Sequence, residues 1–330
     1  MTSSLPDYDD LPTRAGLRAA WDVWGDGDDV FGCLNLLTPE RVAAAAQLVR
    51  RGAVFALNWS MALPDPPLFG RGRFEHEVTG TGTGHDDVLH GWNTQSSSQW
   101  DGFRHIRNHA ASAAEPGTGH FGGVPDDGHG IHHWAQRGIV GRAVLADIAR
   151  WRDATGRPLR HDESDAIDPR EIAECLAAQG TELAEGDILL VRTGWVEWYQ
   201  RQPSELRNRL GDVGELKAPG FASGEELART LWNMHIAAIG CDNPAVEVWP
   251  PSQLTRAEYE AAREEQQHLH EVFTHCMLLP LLGLPLGEMW DLEALAADCA
   301  ADGRYECFFT SAPINLPAGV ASPPNALAIK

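Results

Sequence analysis

Short continuous apolar runs alternate along this chain with stretches whose apolar positions recur every three or four residues. GIVGRAVLADI (138–148), GDILLVRTGW (186–195) and IAAIGCD (236–242) have the length and apolar density of buried strands. AVFALNWSM (53–61) and RYECFFTSAPI (304–314) predict two more strands. Between them lie helical patterns. Thr38, Pro39 and Glu40 read as N-cap, N1 and N2 of a helix that runs through VAAAAQLVRR and stops at Gly52. A short helix is expected at 130–137, and Asp168 caps another through PREIAECLAAQ, closed by Gly180. EELARTLWNMH (225–235) is amphipathic, the stretch 256–279 is largely helical, and LEALAADCAADG (292–303) precedes the last strand. Residues 62–94 are rich in Pro, Gly, His and Asp and predict a long excursion, which in a compact domain is functional or carries short strands of its own.

This alternation of helices and strands places the fold in the α/β class. No repeat, low-complexity tract or linker divides the pattern, so one domain is expected over 20–330, behind a flexible polar segment at 1–19.

The formal charge of −21 argues against nucleic acid or an anionic membrane as partner. A small-molecule substrate is expected instead. The six cysteines are scattered without a CxxC pair, no apolar run has the length of a membrane span, and MTSSLPDYDDLPTR is too acidic for a signal peptide. Thiols in a reducing cytoplasm are the expectation.

Several chemistries drop out on motif grounds. There is no GxSxG elbow and no Walker A sequence, and the glycines of TGTGH and GTGHFGG read as loops. His270-Glu271 and His275 are one residue out of register for two imidazoles on one helical face. GHGIHHW (128–134) reads as a helix start with surface imidazoles.

QSSSQWDGFRH (95–105) stands apart. In an extended segment Gln95, Gln99 and Asp101 point to one face, presenting a carboxylate and two amide oxygens. Gly102 allows a turn that returns His105 toward the Asp. Such a set suits a hard divalent cation, with the imidazole as base or further ligand. A polar strand end, with Asp101 capping a following helix, is the plainer alternative.

The same segment resembles the signature of the cyclase family, metal-dependent hydrolases that include bacterial kynurenine formamidases and isatin hydrolases. That signature reads H-x-G-T-H-x-D-x-P-x-H. Asp101 falls on its metal-binding Asp and His105 on its last His, while Gln95 and Gln99 stand where the family has two metal-binding histidines. Ser97, Ser98 and Phe103 take the Gly, Thr and Pro positions. A longer branch of the family is similar to this chain in carrying Gln-Trp-Asp. The likeness runs from about residue 20 to 330, through DVFGCLNLLTPERVAAAAQLVRRG, IAAIGCDNPAVEVWP, LPLGEMWDLEAL and FFTSAPINLPAGVASPPNALAI.

The resemblance implies a single domain with a central mixed β-sheet or barrel flanked by helices, of the swivelling β/β/α type, in a homodimer or homotetramer. It implies hydrolysis of a cyclic amide, aryl formamide or lactone by metal-activated water, the metal being Mn²⁺ or Zn²⁺, or else Mg²⁺. Asp101 would anchor the metal, and His105 would take and return the proton. His275 and Glu288 match a His and a Glu that complete the family site. Trp100, Phe103, Asp242 and Glu247 are candidates for substrate contact, and Trp21, Trp24, Trp59 and Trp92 for aromatic walls. The two glutamines leave three outcomes open: oxygen ligation of Mn²⁺ or Mg²⁺, recruitment of His275 or His85, or no metal at all. In the last case Asp101 and His105 would run acid/base cyclisation, dehydration or isomerisation, and a non-catalytic binder of a small ligand is the third reading.

Overall fold

The structure is a computed structural model that describes the chain apart from residues 1–4, 26–28, 115–118, 125, 252–256, 259–260, 262–263, 265–268 and 270–271. Its centre is a nine-stranded mixed sheet. In chain order the strands are β1 (Val54–Ala56), β2 (Gln99–Asp101), β3 (Ile139–Ala146), β4 (Ile188–Val191), β5 (Ala238–Cys241), β6 (Leu286–Glu288), β7 (Glu306–Ser311), β8 (Ala321–Ser322) and β9 (Ala326–Ile329). Across the sheet they run β8-β2-β6-β5-β4-β3-β7-β9-β1. The middle is parallel, β3 with β4, β4 with β5 and β5 with β6. Both flanks are antiparallel.

The apolar runs end up where their composition requires. Every residue of β4 and β5 is buried, as expected for parallel strands covered on both faces. Helices Glu171–Gln179, Glu225–Asn233 and Glu293–Asp302 bury their apolar sides in the same core. A second apolar cluster forms around Trp59, Trp195, Tyr199 and Trp249. The sheet is curled. Just past β1, Asn58 bridges Trp290, and Asp291 N donates to Leu57 O at 3.0 Å, so the edge strand meets the chain leaving β6.

Several expectations change. The first helix is capped by Thr38 Oγ1, which accepts from Arg41 N, but it covers only Pro39–Ala46 and turns out before Gly52. The strand expected over 53–61 is limited to Val54–Ala56. The excursion at 62–94 carries an exposed hairpin, Glu75–Gly80 with His85–His90. The N-terminal segment packs against the body of the domain from residue 5 onward. Tyr8 and Leu11 lie in the core, and Trp232 Nε1 donates to Pro6 O at 2.9 Å. Eleven residues of the helix expected at 256–279 fall outside the described residues, which include the short helix His275–Leu278. All six cysteines are free and buried. Among the described residues no helix is long and apolar enough to cross a membrane.

Candidate active site

The site begins with two three-residue strands. On β2, Gln99 and Asp101 leave one face and Trp100 the other, as a period of two demands. Trp100 meets Trp290 edge-on at 4.7 Å and donates to Ser311 Oγ at 2.9 Å. Antiparallel pairing sets Glu288 opposite Gln99 and Gly287 opposite Trp100. A Cβ at Gly287 would lie 2.6 Å from the Trp290 indole, and one at Gly240 2.7 Å. Glycine at both positions therefore seats Trp290, whose Nε1 donates to Gln99 O at 3.0 Å.

Gln95 reaches Asp101 by a turn rather than by strand alternation. Asn93 accepts from Gln95 N at 2.8 Å through its side chain and from Ser96 N at 3.0 Å through its carbonyl. Ser98 Oγ donates to Met289 O at 2.6 Å, and Ser97 Oγ to Ser60 O at 2.9 Å, tying the turn to the body. Gly102 permits a close approach: its N donates to Val320 O at 3.1 Å, and a Cβ there would sit 2.6 Å from that oxygen.

The glutamines converge on Asp101 with their nitrogens, not with the oxygens a cation would require. Asp101 Oδ1 accepts from Gln95 Nε2 at 2.7 Å and Gln99 Nε2 at 3.1 Å. Gln99 Nε2 also donates to Glu288 Oε2 at 2.6 Å. Two neighbouring carboxylates repel an amide oxygen, which sets this orientation. The freed Gln99 Oε1 accepts from Arg71 Nη1 at 3.3 Å, and Gln95 O accepts from the same nitrogen at 2.6 Å.

His105 lies 3.1 Å from Gln95 Nε2 through Nδ1, and its Nε2 is 3.8 Å from Asp101 Oδ2. That buried Asp101 oxygen has no hydrogen-bond partner. Burial lowers the His105 pKa, against the pull of Asp101, so the ring is neutral near pH 7.

On the far side, Glu247 accepts from Thr274 N at 2.8 Å, His275 N at 2.9 Å and His275 Nδ1 at 2.6 Å. His275 Nε2 donates to Glu288 Oε1 at 3.0 Å. Burial alone would depress the His275 pKa, but the hydrogen bonds to Glu247 and Glu288 outweigh it and push the group up to about 10. Glu288 is raised to about 7, first by burial and then by the Asp101 charge, against the hydrogen bond from His275.

Of these groups His105, His275, Glu288 and Arg71 line a cavity of about 280 Å³, with Phe69, Trp249 and Phe273 among others, and hydrogen bonds tie Glu288 and His105 to Gln99 and Gln95. The structure thus gathers Asp101, Gln95, Gln99, His105, His275 and Glu288. Glu247 belongs with them, but as the group that holds His275. Trp100, Phe103 and Asp242 do not line the cavity. Phe103 packs 5.0 Å from both Phe121 and Trp134. Asp242 caps a turn by accepting from Thr193 N, Thr193 Oγ1 and Gly194 N, each at 2.7 Å. His85 sits on the exposed hairpin. His129 is buried beside Phe103, with Nε2 donating to Phe121 O at 2.6 Å, so it is not a surface imidazole. His270 and Glu271 lie outside the described residues.

The aromatic walls are not the anticipated tryptophans. Trp21 and Trp59 lie in the two apolar clusters, and Trp24 packs against the larger one. Arg71, Phe69, Trp249 and Phe273 escaped the sequence reading, because they come from separate loops with no common spacing. FGRGR (69–73), an aromatic among arginines inside an acidic chain, was the available signal.

The donors fit a divalent cation. Asp101, His275 and Glu288 bring one ligand atom each to within 4.8 Å of one another, and Asp101 has one oxygen, Oδ2, without a hydrogen-bond partner. Glu247 behind His275 is the carboxylate that typically orients a ligating imidazole. Two carboxylates and one imidazole suit Mn²⁺, Zn²⁺ or Mg²⁺, once His275 Nε2 exchanges the proton it now donates to Glu288 for the cation.

With this geometry in place, similarity to known proteins becomes informative. Residues 38–248 match a family, Cyclase, described as "Putative cyclase". A solved structure described as a novel cyclase is 30% identical, with a TM-score of 0.75, over 94% of this chain and 99% of that one. Isatin hydrolase A from Labrenzia aggregata, bound to benzyl benzoate, is 18% identical, with a TM-score of 0.51, over 86% of this chain and 94% of that one. An isatin hydrolase bound to the product analogue thioisatinate is 14% identical, with a TM-score of 0.52, over 89% and 97%. The last two are likenesses of fold. No curated protein matches the chain.

Proposed function

This chain belongs to the Cyclase family, and from that premise we propose that it hydrolyses a cyclic amide, an aryl formamide or a lactone with the help of a divalent cation. One observation carries the reading: a neutral imidazole, His105, shares an aromatic-walled cavity with His275 and Glu288, which form a ligand cluster with Asp101.

A cation held by those three residues would polarise the scissile carbonyl and acidify a water. The side chains supply the rest. Gln95 Nε2 donates to His105 Nδ1, which places the ring hydrogen of the neutral imidazole on Nε2, on the Asp101 side. His105 takes a proton at Nδ1, which gives up its hydrogen bond from Gln95, and the imidazolium charge is shared with Nε2, 3.8 Å from Asp101 Oδ2, the oxygen without a partner. The imidazolium then returns the proton to the leaving nitrogen or oxygen. His105 is competent as a base only above its pKa, which burial holds below the ordinary 6.5. Activity therefore persists at neutral pH and falls on acidification. Phe69, Trp249 and Phe273 keep bulk water away and favour a planar substrate.

The test is turnover of isatin, an aryl formamide and a benzo-fused lactone by wild type and His105→Ala. Wild type should hydrolyse at least one of them, and the variant should lose about 10²–10⁴ in kcat without a change in Tm. Equal turnover by both would remove His105 from the mechanism.

A second reading, metal-independent acid/base cyclisation or elimination, is favoured by the Gln99 amide that already bridges Asp101 and Glu288. Elemental analysis decides between the two. About one Mn or Zn per chain, lost in Asp101→Ala, supports hydrolysis. Absence of metal even after soaking in Mn²⁺, Zn²⁺ or Mg²⁺ supports the second reading.

A further inference from the structure

Arg71 is the one cavity residue whose charge neither mechanism uses. It lines the cavity beside His105 and Glu288. Its two hydrogen bonds, both from Nη1, go to neutral amide oxygens, Gln95 O at 2.6 Å and Gln99 Oε1 at 3.3 Å. It forms no salt bridge with any described carboxylate. The nearby carboxylates are engaged elsewhere: Asp101 Oδ1 and Glu288 Oε2 take the Gln99 amide, and Glu288 Oε1 takes His275. A guanidinium withdrawn from water ordinarily finds an anion. Arg71 is held in place instead by the two glutamines, with Nε and Nη2 left for the cavity.

Its surroundings narrow what it would meet. The guanidinium carbon lies over the Phe69 ring, 5.2 Å from its centroid, within cation–π range. Phe69 meets Trp249 edge-on at 5.0 Å, and Trp249 meets Phe273 at 6.3 Å, so a fork of donors stands at the end of an aromatic wall. At about 280 Å³ the cavity is near the lower limit of ligand sites and suits one or two rings.

We propose that Arg71 is a specificity-determining residue that binds a carboxylate carried on the aromatic ring of the substrate, and that Gln95 and Gln99 serve to hold its guanidinium in position. A planar fork with fixed donors matches a carboxylate in two-point contact, which a lysine cannot do. Burial depresses the Arg71 pKa against the pull of Asp101 and Glu288, which agrees with a desolvated cation short of counter-charge. The proposal rests on the cavity being the active site, but not on which bond is broken there.

The test compares benzoate with its neutral analogue benzamide. Binding of each to the full chain is measured calorimetrically for wild type, Arg71→Met and Arg71→Lys, with metal content matched by elemental analysis. Wild type should prefer benzoate at least tenfold, Arg71→Met should lose the preference, and Arg71→Lys should keep part of it. Equal binding of the two probes by wild type, no binding of benzoate, or a preference that survives Arg71→Met overturns the proposal. His105→Ala keeps the two readings apart. If it turns over substrate like wild type yet still prefers benzoate, the proposed reaction fails and the anion site stands.

Discussion

The two sides of the cavity floor are built on opposite terms. On the His275 side every polar atom is matched: an imidazole is clamped between two carboxylates, and Glu247 also receives two backbone N–H groups. On the Asp101 side the matching is incomplete. One carboxylate oxygen has no partner, His105 is 3.8 Å from it, and a guanidinium is secured only by amides. A fully satisfied network fixes geometry, whereas an unsatisfied one retains capacity for substrate or proton. The contrast divides the site into a frame and a working face.

Substitutions can break that division. The largest effect on the fold should come from the frame. Glu247→Ala strands the His275 imidazolium and two N–H groups in a dry interior and should cost about 3–5 kcal/mol of stability. Urea unfolding measures it, and a loss under 1 kcal/mol would mean the clamp is not a frame at all. His105→Ala, on the working face, should leave the urea midpoint unchanged while the rate collapses. The smallest effect is a slope. Both Glu288 and His275 hold their protons more tightly in the folded chain, with pKa values raised from 4.5 to about 7 and from 6.5 to about 10. Their contributions are complete below 4.5 and 6.5 and are lost as pH rises through about 7 and about 10 respectively. Stability should therefore decline toward alkaline pH, and His275→Asn should flatten the decline between 6.5 and about 10. An unchanged slope would mean that His275 is not charged in the folded protein.

Legibility in the sequence followed the range of the interaction. β3, β4 and β5 could be read because burial on both faces writes itself as consecutive apolar residues. β2 and β6 could not, because three residues are too few for any period, and LGE is held as a strand only by its neighbours. Asp101 and Gln99 were named from the alternation of an extended segment and Glu288 from a resemblance, and their approach is a property of that pairing. The orientation of the glutamine amides was hidden as well, because it depends on a carboxylate 189 positions away. Arg71 had only FGRGR to mark it, because what singles it out in the structure is a missing ion pair, and absence has no spacing.

The seam at Asn58 and Trp290 bears on the order in which the molecule can be made. β1 pairs with β9, and Asn58 Nδ2 bonds Ala326 O across 268 positions of chain, while its neighbour Leu57 bonds Asp291 just past Glu288. Contacts so remote in sequence close slowly, since the entropy of the intervening loop is lost before they form. On a ribosome, β1 emerges early and must wait for nearly all the rest before it has a partner. The cavity floor, spread from Arg71 to Glu288, is thus a late product of synthesis, and a nascent chain has no working site until its final strands have been delivered.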